Sequence, residues 1–319
     1  MRVAVALLAF LAISCNQSIG PVRTTPNTAL IACRLPITIE QSNTPAQGAF
    51  IDLPSGAVTI DHAGKDGWYY DRPFSKWVPV SRSSVSPDGS HYVRQGDPID
   101  GKPTLNLVDV AGGPITSYLL PVELNSGIGS IDVFDYSTDT VYMGLFGEGN
   151  ISGLWALNLV TRVTQRVGDL PGISVVDHGI VWLNSFNTSD PNPLRFAPRA
   201  LANQIEKLDL TSGTRSTWLY RPGNLVGVVG VDAERRPIVL NYLDKDTVEL
   251  SVLLDATSQR SIYKGTKGWP ASLDTVGGGV VADGHGVWFG TAEGVYLYTE
   301  SGGVKRVSNM WSRPAGACV

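Results

Sequence analysis

Charged residues and cysteines are scarce in this sequence. Charged side chains make up 17% of the 319 residues, the formal net charge is −4, and only three cysteines occur. No run of lysines or arginines supplies the clustered positive charge on which nucleic-acid binding depends, so we expect no nucleic-acid partner. Because 43% of the residues are apolar, the chain can bury a core and is not of the disordered class.

Helical periodicity is also missing, since apolar residues do not recur at intervals of three and four over any useful length. The turn-forming residues are abundant by contrast, with 35 glycines and 20 prolines. Many short strands separated by tight turns are typical of all-β proteins. The sequence therefore predicts an all-β fold.

The N-terminus has the features of an export signal. Met1-Arg2 is a short basic region, Val3 to Ile13 is apolar but too short to span a membrane, and Ala12-Ile13-Ser14-Cys15 resembles a bacterial lipobox. We predict a signal peptide over 1–15, a lipid anchor on Cys15, a flexible tether over 16–32 and a single domain over 33–319. The alternative is an ordinary secretory signal, which would give a secreted protein with no membrane contact.

The two remaining cysteines lie at the two ends of the predicted domain. Export implies an oxidising compartment, in which Cys33 and Cys318 could form a disulfide that joins the ends of the chain. The alternative is that they are two unrelated small apolar residues.

A strand-turn-strand pattern, first clear in Val85 to Val93, recurs along the chain. Pro87 and Gly89 suit a tight turn, and Asp88 between them can bond the backbone beyond it. We assign turns between strands A and B of a repeat to Asp52, Asp88, Asp135, Asp177, Asp232 and Asp283. Turns between strands C and D are assigned near Asp71, Asp109, Asn158, Asp209, Asp255 and Thr299.

The two series of turns alternate along the chain without exception. Successive turns of the same series lie roughly 36 to 55 residues apart, which is the spacing of propeller blades. We predict a six-bladed β-propeller of four-stranded antiparallel blades, with seven blades as the alternative. Leu35 to Glu40 is expected to add a strand where the ring closes.

The turn Ser86-Pro87-Asp88-Gly89 with its flanking strands resembles the repeat of TolB-like, or WD40-like, propellers of bacterial envelopes. Ala282 to Tyr298 is similar to the blade repeat of sensor-type and streptogramin-lyase-like propellers. The resemblance implies a propeller over about residues 33 to 313, but turn motifs say little about function. A Tol-system role is not implied, because no α/β pattern precedes the predicted blades.

No motif predicts catalysis, a metal or a cofactor. The Gly-x-Ser-x-Gly pentapeptide of propeller-fused serine hydrolases does not occur. The four histidines are scattered over different blades, which is not the spacing of a metal site. The recurrent aspartates are better explained by turn capping than by a carboxylate ring that binds a cation.

The repeat is broken once, by an insertion at 185–203 between strands B and C of the fourth blade. Long loops of compact domains are often functional. B–C and D–A loops emerge on one face of a propeller, so this insertion would share a face with Trp269. The candidate binding residues are Phe186, Arg195, Phe196, Arg199 and Trp269. The alternative is a loop that only packs across its own blade.

We therefore predict an exported, lipid-anchored, monomeric propeller that acts as a binding or scaffolding module for an unknown protein or small ligand on that loop face. The alternative is a hydrolase or lyase with a polar site at the channel mouth. An enzyme should bring together titratable groups with shifted pKa values in its channel, whereas a binding module need not.

Overall fold

The computed structural model is built from β-strands throughout the residues that it describes. These are 31–39, 46–65, 68–124, 130–147, 150–187, 189, 202–244, 247–266, 279–291 and 293–319. Two short 3₁₀ turns, Arg82–Ser84 and Val122–Leu124, are the helical segments among them. In this part of the chain no helix is long and apolar enough to cross a membrane.

The strands of the first half of the chain are β1 Arg34–Ile39, β2 Gln47–Asp52, β3 Ala57–Lys65, β4 Tyr69–Asp71, β5 Lys76–Val78, β6 His91–Ile99, β7 Lys102–Asp109, β8 Thr116–Leu119, β9 Ser130–Ser137, β10 Thr140–Gly147, β11 Asn150–Asn158 and β12 Thr164–Gly168. The second half contributes β13 Ile173–Asp177, β14 Ile180–Ser185, β15 Gln204–Asp209, β16 Arg215–Tyr220, β17 Leu225–Val231, β18 Pro237–Tyr242, β19 Thr247–Leu253, β20 Gln259–Thr266, β21 Val280–Asp283, β22 Gly286–Thr291, β23 Gly294–Thr299, β24 Gly303–Ser308 and β25 Arg313–Pro314.

The sheets of the described residues form a six-bladed β-propeller. Strands β9 to β12, β13 to β16, β17 to β20 and β21 to β24 form blades 3 to 6, each antiparallel and in chain order. Blade 2 contains β6, β7 and β8, and a bridge between Val85 and Tyr92 supplies its inner strand. Blade 1 has the order β25-β1-β2-β3. The prediction of six blades is confirmed, and the seven-bladed alternative is wrong.

The ring closes because the C-terminus supplies the inner strand of blade 1. Strand β25 pairs with β1, and the backbones of Arg34 and Val319 exchange two hydrogen bonds of 2.8 and 2.9 Å. The predicted disulfide between Cys33 and Cys318 is present at the same point, with a Cα–Cα distance of 5.8 Å. Strand β1 is therefore the second strand of blade 1, not an added strand as predicted.

This closure corrects two turn assignments. Asp52 lies between β2 and β3, which makes it the C–D turn of blade 1 and not an A–B turn. Asp71 ends the first strand of a separate hairpin, β4–β5, and is not in a blade sheet. Both errors have one cause. The inner strand of blade 1 comes from the other end of the chain and β1 is its second strand, so β2 and β3 are strands C and D and not strands A and B.

Packing between neighbouring blades forms the core. Apolar clusters join blade 2 to blade 3, 3 to 4, 4 to 5, 5 to 6 and 6 to 1. The β4–β5 hairpin fills the space between blades 1 and 2. Its Tyr70 and Trp77 pack on Phe50 of blade 1, while its Val78 packs on Val85 and Val110 of blade 2. The hairpin is thus a wedge that completes the stack, and its first strand borders the channel.

The C–D turns show why the aspartate and asparagine pattern recurs. The Asp109 carboxylate accepts the backbone N–H of Ala111 at 2.7 Å, and that of Asp209 accepts the N–H of Thr211 at 2.8 Å. The Asn158 and Asp255 side chains make the same kind of bond in blades 3 and 5. Each side chain stabilises a tight turn by accepting a hydrogen bond from a backbone N–H of that turn. This explains why aspartate and asparagine recur there without any role in binding.

Candidate functional site: the central channel

A cavity of about 680 Å³ lies in the centre of the ring, bordered by the inner strand of every blade. It reaches the face that carries the A–B turns, because Thr138, His178 and Ala233 of three such turns line it. This volume lies within the range of small-molecule sites in proteins. Strands β14 and β15, which flank the predicted 185–203 insertion, meet at the opposite face through Ser185 and Gln204, whereas Trp269 lies outside the described residues.

Two aromatic residues and two arginines form one wall of the cavity. Trp68 and Tyr69, at the start of the wedge hairpin, both line it, and Trp68 is 52% exposed. The Arg82 guanidinium lies over the Tyr69 ring at 5.7 Å, and that of Arg313 lies over the Trp68 ring at 5.8 Å. All four residues line the cavity, so the two rings and the two cations belong to the same site.

The two arginines differ in their surroundings. Arg82 is exposed to the channel and donates a hydrogen bond of 2.9 Å to the Val85 carbonyl oxygen. Arg313 is 8% exposed, and burial lowers the pKa of its guanidinium. A buried guanidinium remains charged, because arginine is not deprotonated in proteins. The wall is therefore positively charged.

Asp135 projects into the channel from β9 of blade 3. Burial, together with the nearby Asp177 carboxylate, raises the pKa of its carboxyl to about 6, while His178 and Arg82 oppose the shift. Its Oδ2 atom is buried and has no hydrogen-bond partner among the described residues. A buried carboxyl oxygen without a partner costs free energy, so this side chain is not explained by the fold alone.

A second polar group stands on the next blade. The Asp177 carboxylate lies 2.8 Å from Nδ1 of His178 and 3.9 Å from the Arg235 guanidinium. His178 is in the left-handed region, with φ +48°, which the A–B turn requires and which turns its ring toward the channel mouth. The carboxylate orients the imidazole, which is the arrangement of an acid–base pair.

The remaining A–B aspartates are occupied by their own turns. Asp88 accepts the backbone N–H of Ser90 at 3.0 Å, and Asp283 accepts that of His285 at 2.8 Å. Asp232 accepts the N–H of Arg236 at 2.8 Å and pairs with its guanidinium at 2.6 Å. These side chains therefore do not form a carboxylate ring, and no group of three His, Cys, Asp or Glu suited to a metal occurs in the described residues.

Of the binding residues predicted from the sequence, the structure describes Phe186, which does not line the channel cavity. Phe186 follows β14 and is 48% exposed. The predictions for Cys15, Arg195, Phe196, Arg199 and Trp269 fall outside the described residues. No sequence pattern indicated Arg82, Arg313, Trp68 or Tyr69, because they come from segments far apart in the chain: the wedge hairpin, the start of blade 2 and the C-terminal strand. Asp135 was assigned to an A–B turn, but strand β9 continues two residues beyond it, to Ser137, so this aspartate is within a strand and not at a turn.

Fold and channel together define a six-bladed β-propeller with a ligand-sized cavity on its axis. No protein-family model matches the sequence, and no curated protein sequence matches it. Among solved structures, a Listeria monocytogenes EGD-e protein of uncharacterised function aligns over 90% of this chain and 83% of its own, with a TM-score of 0.51 and 8% identity.

Two further structures align less closely. The β-propeller domain of the Trilobed protease from Pyrococcus furiosus aligns over 88% of this chain and 86% of its own, with a TM-score of 0.46 and 13% identity. An oligogalacturonate lyase in complex with manganese aligns over 83% and 71%, with a TM-score of 0.45 and 14% identity. At such identities the likeness concerns the fold, and it transfers no activity.

Proposed function

We propose that this chain is an exported, lipid-anchored binding protein whose central channel holds a small polar ligand. The observation that carries the proposal is the convergence of Arg82, Arg313 and Asp135 on one cavity of about 680 Å³. A structural role accounts for the turn aspartates, but it leaves the buried Oδ2 of Asp135 without a partner in the described residues. Ligand sites typically place a few such polar groups in a concave, partly apolar pocket.

Export and anchoring rest on the N-terminal sequence and on the disulfide. Disulfides persist in oxidising compartments, and the bond between Cys33 and Cys318 fits an exported protein. The lipobox-like Ala12 to Cys15 supplies the anchor in this proposal, and the TolB-like turn at Ser86 to Gly89 fits a protein of the cell envelope.

A second candidate function is acid–base catalysis in the same channel. It is favoured by the pKa of Asp135, raised to about 6 by burial, and by the bond of 2.8 Å between Asp177 and His178. A carboxylic acid that titrates near neutrality and an oriented imidazole are the groups that a hydrolase or lyase needs. Turnover of any ligand found in the channel would favour this function over binding alone.

The channel proposal is tested by closing the cavity mouth. Ala233 is exposed and lines the cavity, so Ala233→Trp should obstruct the mouth without disturbing the blades. Thermal unfolding is measured with a panel of sugars, sugar acids, amino acids and short peptides. We expect at least one compound to stabilise the wild type and to lose its effect in Ala233→Trp.

The matched control is Ala111→Trp, which adds the same side chain to an exposed C–D turn outside the cavity lining. It should respond to the compound as the wild type does. If a stabilising compound acts equally on Ala233→Trp, the ligand binds elsewhere. The loop face of the 185–203 insertion and Trp269 would then become the candidate site.

A further inference from the structure

The chemistry of the cavity wall indicates which ligands it would select. Arg82 is exposed to the channel, and its guanidinium forms no ion pair with the described residues. Its hydrogen bond to the Val85 carbonyl oxygen and its contact with Tyr69 fix its direction, and the five N–H donors of a guanidinium leave further donors available. A fixed guanidinium with available donors is a common means of holding carboxylate and phosphate groups.

A second donor lies beside the other arginine. Thr38 lines the cavity, is 3% exposed, and its Oγ1 has no hydrogen-bond partner among the described residues. It stands directly opposite Arg313 in the pairing of β1 with β25. A buried hydroxyl without a partner is costly, so a ligand oxygen at this position would satisfy the hydroxyl and lie near a buried positive charge.

The acidic groups of the cavity do not neutralise the positive charge of the wall that contains Arg82 and Arg313. Asp232 is neutralised by Arg236 within its own turn, and Asp177 is engaged by His178. Asp135 lines the cavity, and burial raises the pKa of its carboxyl to about 6. An anion bound beside it would raise this pKa further and favour the protonated carboxyl, which acts as a donor. The groups that are still available to a ligand are therefore mostly donors.

We infer that the channel ligand is a small anion, with a carboxylate or phosphate group held by Arg82 on the side of the cavity lined by Thr38 and Arg313. This inference rests on the proposed function, and it adds the charge and the chemical class of the ligand. The Trp68 ring, half exposed beside the same wall, provides an apolar surface for the rest of the molecule.

The test compares three probes of similar size by isothermal titration of the complete mature protein: glucuronate, glucose 6-phosphate and glucose. At least one anion should bind about tenfold or more tightly than glucose, since one charge-assisted pair is worth that factor. The two anions separate a carboxylate site from a phosphate site. Arg82→Gln should abolish the preference, while Arg82→Lys should retain part of it.

Arg94→Gln is the matched control, because Arg94 is exposed on β6 and does not line the cavity. It should bind like the wild type. Equal binding of glucose and both anions, no binding of either anion at about 10 mM, or a preference that survives Arg82→Gln would overturn the inference. A non-anionic compound that loses its effect in Ala233→Trp would leave the proposed function standing while this inference fails.

Discussion

At the scale of single residues, Asp135 is the most informative side chain of the molecule. Its carboxyl is buried, its Oδ2 has no partner in the described residues, and its pKa is raised to about 6. A folded-state pKa above the unfolded value near 3.8 means that the folded protein binds the proton more tightly. The contribution of Asp135 to stability is therefore most favourable below about pH 4 and declines as the pH rises through about 6.

Asp135→Asn tests this account. The amide cannot ionise, so the variant should gain about 3 kcal/mol in free energy of unfolding over the wild type at about pH 8 and little at about pH 4. Urea unfolding at both pH values measures the difference. Asp139→Asn, an exposed change in the adjacent turn, is the control and should be neutral. A loss of stability at about pH 8 would mean that the Asp135 carboxylate is a structural partner.

Asp135 also shows what the sequence could not reveal. In the sequence it is one of six aspartates that follow β-branched or aromatic runs, and turn capping is the simplest explanation for the set. That explanation holds for Asp88, Asp232 and Asp283. It fails for Asp135, because strand β9 extends past it and directs its side chain to the channel. Neighbours from other blades, such as Arg82, are not visible in one sequence.

At the scale of elements, closure of the ring depends on a glycine in blade 6. A Cβ atom on Gly290 of β22 would fall well inside van der Waals contact with the carbonyl oxygen of Ser312, the residue before β25. Only a residue without a side chain lets the C-terminal strand approach this closely. The backbone must move if a methyl group is added, and β25 is the element that would be displaced.

Gly290→Ala should therefore lower the free energy of unfolding by about 2 kcal/mol, which is within the usual range for an overpacked site. Denaturant unfolding measures the effect. Gly284→Ala, in the A–B turn of the same blade, has open space around the added methyl group and should be nearly neutral. If both variants unfold alike, close approach at Gly290 is not needed for closure.

The blades were the most predictable elements because each turn carries its own local chemistry. Asp109, Asn158 and Asp255 mark C–D turns in the sequence, and the structure has them there. Blade 1 was predicted wrongly, since β25 is about 270 residues from its partner β1, and no local pattern reports such a pairing. The wedge hairpin was missed because Asp71 forms a turn of the same kind as the turns within a blade.

At the scale of the whole molecule, the account requires export of the chain and anchoring through Cys15. Cys15→Ser removes the thiol that would carry the lipid, so we expect the protein to move from the membrane fraction to the soluble fraction. Fractionation and intact mass of the N-terminal peptide provide the measurement. Ser18→Ala, which keeps Cys15, should remain with the membrane. A wild-type protein that is already soluble and unacylated would indicate ordinary secretion.

The central claim is that the axis of the propeller holds the ligand. A crystal structure of the protein with its best-binding small anion tests this claim most directly. We predict that the anion lies in the cavity, with its charged oxygens within hydrogen-bond distance of Arg82 and the Asp135 carboxyl on the facing side. An empty cavity, with the bound anion on the face of the 185–203 insertion, would contradict the account.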